Sequence, residues 1–170
     1  MNFFAIVALL IVVFSLPETA TAAPNKDAVA CDSPIPSIRI AGCTRLLGQK
    51  NLPSKFLWLF YLQRSQGYTS QGDFDRALAD LDIAIQKNSR SAVAYNDRGN
   101  ARNSLGHYDL AIQDAEKAIQ IDPTYALAYA TRGYSFMQKG DYDKAIADFD
   151  KAIRLDPKLQ APYNNRANVW

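Results

Sequence analysis

From Trp58 onward the sequence repeats itself every 34 residues, and no other feature restricts its fold as strongly. A unit that short cannot close a core of its own, so the chain must stack like units against one another. The register is dense. Tyr61, Tyr95, Tyr129 and Tyr163 fall in one column and Arg64, Arg98, Arg132 and Arg166 in another. Gly72, Gly106 and Gly140 form a third, followed by alanines at 77, 111 and 145, aspartates at 80, 114 and 148, and alanines at 84, 118 and 152. Apolar residues inside a unit recur at steps of three and four, as in Tyr108, Ala111, Ile112, Ala115, Ala118 and Ile119. That spacing paints one stripe on a helix. The glycine column suits a left-handed residue ending the first helix of each unit. Asp73 and Asp141 stand where they can cap the second helix, and His107 holds that place in the middle unit. Pro123 and Pro157 cannot continue a helix and so turn the chain to the next unit; Ser89 takes their place in the first. The columns of alanine, with Gly99 and Gly133, leave room for close helix pairing.

The strings YNDRGNARNSLGHYDLAIQDAEKAIQIDP and YATRGYSFMQKGDYDKAIADFDKAIRLDP, starting at Tyr95 and Tyr129, closely resemble the tetratricopeptide repeat (TPR) family. The resemblance covers Trp58 to Trp170, about two thirds of the chain. It implies an all-α fold, an α-solenoid of three helical hairpins plus a terminal helix. The units run over 58–91, 92–125 and 126–159, and 160–170 is a terminal helix or partial fourth repeat. The first unit departs from the pattern, with Ser65 where its neighbours have Gly99 and Gly133 and with no closing proline. A looser or differently capped unit is expected there. The last segment reproduces a first helix without its second, and serves either as the cap that solenoids need or as a dimerising edge with Ala167 and Trp170 exposed.

Ahead of the repeats, residues Phe3 to Phe14 are uninterruptedly apolar, then come Pro17 and the small-residue stretch Ala20 to Ala23. This reads as a secretory signal peptide over 1–22. Twelve apolar residues fall short of the roughly 20 that span a bilayer. The expectation is therefore an exported protein, periplasmic or secreted. The alternative is a membrane-anchored structural or assembly factor tethered by an uncleaved N-terminal segment. In an oxidising compartment the two cysteines, Cys31 and Cys43, imply one disulfide. Redox and metal roles rank below it, since the spacing is not CxxC and no histidine lies near. In the 23–57 segment Pro34 and Pro36 break structure, and Ile38, Ala41, Leu46 and Leu47 fit a short helix ended by Gly48 and Pro53. The segment resembles the region preceding the repeats in exported bacterial TPR proteins. Its place would be over the open face of the first hairpin, pinned by the bridge.

The resemblance also locates a groove lined by first helices. Matching positions are Leu59, Leu62, Gln63, Gln66, Thr69 and Ser70, then Val93, Asn96, Asp97, Asn100, Asn103 and Ser104. The third unit adds Leu127, Ala130, Thr131, Tyr134, Met137 and Gln138, and the partial unit Ala161, Asn164, Asn165 and Asn168. Only Asp97 among them is charged. The cations with which some family members clamp a C-terminal carboxylate are replaced by Leu62, Leu127 and Thr131. Asn96, Asn100 and Asn103, with Asn164 and Asn168, instead offer carboxamides one turn apart, able to pair with the backbone of an extended peptide. Gln66, Tyr134 and Met137 complete the candidate peptide-binding set. The repeated arginine and aspartate columns read as structural ion pairs, because a binding site would vary between units.

Other functions find little support. The net charge of +2 is spread over interspersed acids and bases, with no basic run to track a phosphate backbone, so nucleic acid is not expected. One histidine, no nucleophile elbow and no phosphate loop argue against an enzyme, a cofactor or a small-molecule substrate. A protein or peptide partner is expected, with a homodimer through the C-terminal helix as a further option.

Overall fold

The computed structural model describes residues 25–169. The segment 1–22, expected as a signal peptide, and Trp170 lie outside them. Nine α-helices follow one another among the described residues: α1 (Lys26–Cys31), α2 (Pro36–Leu47), α3 (Leu57–Ser70), α4 (Phe74–Lys87), α5 (Ala92–Ser104), α6 (Tyr108–Ile121), α7 (Ala126–Gln138), α8 (Tyr142–Leu155) and α9 (Gln160–Ala167). Helices α3/α4, α5/α6 and α7/α8 are three antiparallel hairpins, each packed on the next, and α9 closes on α8.

The turns follow the glycine column. Gly72, Gly106 and Gly140 all take positive φ, at 76°, 76° and 83°, in the left-handed region where a Cβ is strained. Asp73 caps α4 as expected, its Oδ1 accepting from the Arg76 amide at 3.2 Å. Asp141 makes no such cap; Lys144 Nζ holds its carboxylate at 3.0 Å instead. His107 makes no side-chain cap either.

The first unit is not looser at its close. Helix α4 stops at Lys87, in register with Ile121 and Leu155, although its closing proline is missing. Here the turn is made by a side chain. Asn88 Oδ1 accepts from the Arg90 amide at 3.2 Å, just as Asp122 accepts from Thr124 at 2.9 Å and Asp156 from Lys158 at 3.0 Å. An Asx turn two residues long therefore sets all three exits, and proline is an addition to it.

Packing between helices depends on small residues. The six column alanines, at 77, 84, 111, 118, 145 and 152, are fully buried. A Cβ on Gly133 would sit 2.8 Å from the Phe149 ring, so α7 and α8 approach as closely as a glycine allows.

The arginine column ties the hairpins together in a regular way. Within a hairpin, Arg64 grips Asp80, Arg98 grips Asp114 and Arg132 grips Asp148, with closest contacts of 2.7, 2.7 and 2.8 Å. From one unit to the one before it the column also reaches backwards: Arg98 to Asp82 at 2.7 Å, Arg132 to Glu116 at 3.9 Å and Arg166 to Asp150 at 2.6 Å. Arg64 has no preceding repeat, and its backward partner is Thr44 Oγ1 on α2, at 3.2 Å. Helix α2 thus occupies the place of a preceding second helix.

That substitution explains the N-terminal segment. Pro36 does not break structure but begins α2, where its missing amide proton costs nothing. Helix α1 was not legible in the sequence; its six residues are fixed by Cys31, bridged to Cys43. Gly42 makes the crossing possible, since a Cβ there would lie 2.4 Å from the Cys31 nitrogen. Cys31, Cys43, Leu46 and Phe60 form a small core beneath. Gly67, two residues beyond Ser65, receives α2, with Ile40 Cγ1 only 2.8 Å from where its Cβ would be. Ser65 is buried and turns its hydroxyl back to the Leu62 carbonyl at 2.7 Å. The first hairpin therefore packs on the bridged segment in place of a preceding repeat, and its small residue, Gly67, lies on the surface that meets it.

Candidate peptide-binding groove

First helices α3, α5 and α7 stack side by side with α9 continuing the row, and a cavity of about 460 Å³ lies between them. Leu127, Ala130, Tyr134 and Ala161 give it apolar surface, while Thr69, Asn100, Asn103, Ser104, Thr131 and Asn165 bring polar groups to its wall. All ten are among the positions that the family resemblance implies for the groove lining. The narrower set of candidate binding residues divides. Asn100, Asn103 and Tyr134 line the cavity. Asn164 and Asn168 are exposed on α9 and at its end but do not line it; Asn165, between them, does. Met137 is half-buried away from the cavity wall.

Two asparagines are committed to the fold. Asn96 is 1% exposed and Asn103 7%. The Thr131 hydroxyl lies 2.8 Å from Asn96 Oδ1 and 3.1 Å from Asn100 Oδ1, within reach of either. Asn103 accepts from the Ser135 hydroxyl at 2.7 Å and donates to the Thr131 carbonyl at 3.3 Å. A ladder of free carboxamides along α5 is thus reduced to Asn100, because alternate asparagines face α7 and join the hairpins. Helical spacing shows that residues share a face but not how far a neighbouring helix covers it. In the first unit Leu59, Leu62 and Gln63 are covered too, Leu62 by the hairpin core and Gln63 by the Cys31–Asp32 end of α1.

Asp97 is the electrostatic exception. It sits on α5 one turn before Asn100, half-buried, and Gln66 Nε2 on α3 donates to it at 2.9 Å. Every buried column aspartate has an arginine, but Asp97 makes no ion pair among the described residues. Burial pushes its carboxyl up to about 6, against the opposing hydrogen bonds from Gln66 and Asn96. Burial also raises the neighbouring Tyr125 hydroxyl, helped by the charges of Asp97 and Asp122. An acid whose folded pKa exceeds its unfolded value binds more protons when folded, so its ionisation destabilises the fold above that range. Asp97→Asn should stabilise the protein by about 2 kcal/mol at pH 8. The gain should shrink as pH falls through 6 toward 4, which chemical denaturation at several pH values would show.

Among the described residues no cluster of His, Cys, Asp and Glu could hold a metal ion, and no helix is long and apolar enough to cross a membrane.

Comparison with known proteins places these observations. No curated protein sequence matches the chain. Solved structures do, at the level of fold. The Arabidopsis OM64 TPR domain is 24% identical with a TM-score of 0.66, over 69% of this chain and 97% of that one. MamA is 23% identical with a TM-score of 0.67, over 79% and 76% respectively. The second TPR domain of human RPAP3, solved in complex with the HSP70 peptide SGPTIEEVD, is 22% identical with a TM-score of 0.64, over 69% and 98%. The tetratricopeptide repeat model matches residues 92–125 and 126–159, the α5/α6 and α7/α8 hairpins with their exits. The stacked hairpins, their glycine turns and these matches together identify residues 92–159 as tetratricopeptide repeats, within an array that has the fold of tetratricopeptide repeat domains.

Proposed function

We propose that the protein is a non-enzymatic interaction scaffold that holds an extended peptide segment of a partner protein in its groove, in the cell envelope after export. The observation that carries this reading is the cavity of about 460 Å³ lined from four successive first helices. It offers a side chain an apolar seat at Tyr134 and Leu127, with carboxamides and hydroxyls on the rim for a peptide backbone. The human RPAP3 domain, alike in fold, is solved with a peptide. That peptide ends in an acidic tail, whereas the clamp positions here hold Leu62, Leu127 and Thr131, so a C-terminal carboxylate is not the feature this groove reads. Export is supported by the apolar segment and small-residue stretch of residues 1–22 and by the buried Cys31–Cys43 bridge, at home in an oxidising compartment.

A photo-crosslinking residue placed at Asn100, on the groove rim, should capture a partner in envelope extracts, and one at the exposed Gln113 of α6 should not. The protein recovered from that fraction should begin at Ala23. Equal capture from both positions would overturn the groove reading; a retained Met1 would overturn cleavage and favour the tethered form.

A further inference from the structure

We infer that the groove selects a basic residue in its peptide, seated at Asp97 while an apolar residue of the same peptide fills the cavity by Tyr134; this deepens the groove reading above and rests on it.

Four observations lead to it. First, Asp97 is the one formally charged side chain among the groove-lining positions, and it is accessible in part. Second, the protein supplies it with no cation. Arg64, Arg98 and Arg132 are all held by aspartates on the second helices, and Gln66 gives Asp97 only a neutral amide. A carboxylate taken partly out of water and left without a counter-charge destabilises the fold, and a cationic ligand is the group that would relieve it. Third, its surroundings suit an ammonium or guanidinium. Gln66 Oε1 is left as a second acceptor once Nε2 has donated to Asp97, and the Tyr125 hydroxyl stands near the carboxylate.

The fourth observation is spacing. Gln66 faces Asp97, and one turn further Thr69 and Asn100 face each other across the cavity wall, so α3 and α5 run side by side in register. One helical turn advances about 5 Å. Alternate side chains of an extended peptide lie on one side, about 7 Å apart. An extended peptide seated in the cavity therefore reaches Asp97 within a few residues.

Selection from a random peptide display library on the purified protein tests this directly. Peptides enriched on the wild type, and lost on Tyr134→Ala, should carry Lys or Arg within a few positions of an apolar residue; enrichment on Asp97→Asn should lose the basic residue but keep the apolar one. For one selected peptide, exchanging its Lys for Gln should weaken binding to the wild type at least tenfold and leave binding to Asp97→Asn within twofold, read by fluorescence anisotropy. Tyr134-dependent peptides without a basic residue would overturn the inference while leaving the groove reading intact, and so would an equal loss on both proteins. If no selected peptide depends on Tyr134, the groove reading falls and this inference with it.

Discussion

Arg132→Ala will lower the stability of the array by about 3 kcal/mol, more than the same change at Arg98. Both arginines occupy the same column, and their own exposure is similar. What differs is the aspartate each leaves behind. Asp148 receives both its bonds from Arg132, at 2.8 Å each, and its side chain is 9% exposed. Removing Arg132 strands a buried carboxylate. Asp114 would still have Arg102, whose Nη1 lies 2.6 Å from its Oδ2. Arg98→Ala should accordingly cost about 1–2 kcal/mol, mainly through its lost bonds to Asp114 and Asp82. Urea denaturation of the two variants compares them. Asp148→Asn, added to Arg132→Ala, should recover part of the loss because it removes the stranded charge. Identical costs at 98 and 132 would show that the column acts by packing alone. In neither variant should the folded fraction bind its peptide less well; unchanged melting with lost binding at Arg98 would contradict the structural role.

Replacing Cys31 and Cys43 together with serine will cost about 3 kcal/mol, the amount that closing a loop of this length confers in chain-entropy terms. The loss should not spread evenly. Helices α1 and α2 stand in for a preceding repeat, through Thr44 on Arg64 and Ile40 against Gly67, so the first hairpin should lose protection with them. A stacked array couples each unit mainly to its neighbours. Hydrogen exchange in α1 to α4 should accelerate first, with α7 and α8 affected least. The same exchange pattern with and without reductant would remove the bridge from the capping role.

How far the site could be read from the sequence depended on what kind of statement was asked of it. The family resemblance says which face of a first helix lines the groove, and the 34-residue register carried that face into each unit, so all ten residues of the cavity wall were among the lining positions. It could not say which of them remain free. Asn96, Asn100 and Asn103 look alike as a string, yet Asn96 and Asn103 are buried against Thr131 and Ser135 of α7, while Asn100, also within reach of Thr131, stays exposed on the rim. The choice is made by residues more than 30 positions later in the chain. Asp97 posed the same problem in reverse. Its charge was plain, but its lack of a cation is a matter of where three arginines point.

The sequence by itself determined the hairpins and their order, because period, glycine turns and helical stripes are local signals that each unit states again. It also pointed to the bridge, through two cysteines in a chain whose front end led us to expect export. Only the tertiary structure decided how the array begins and where its groove is open. Helix α1, the crossing at Gly42 and the use of α2 in place of a missing repeat occur once, so no repetition announces them. They exist because the first hairpin, like every other, must bury its face against something, and the bridged segment is what the chain provides.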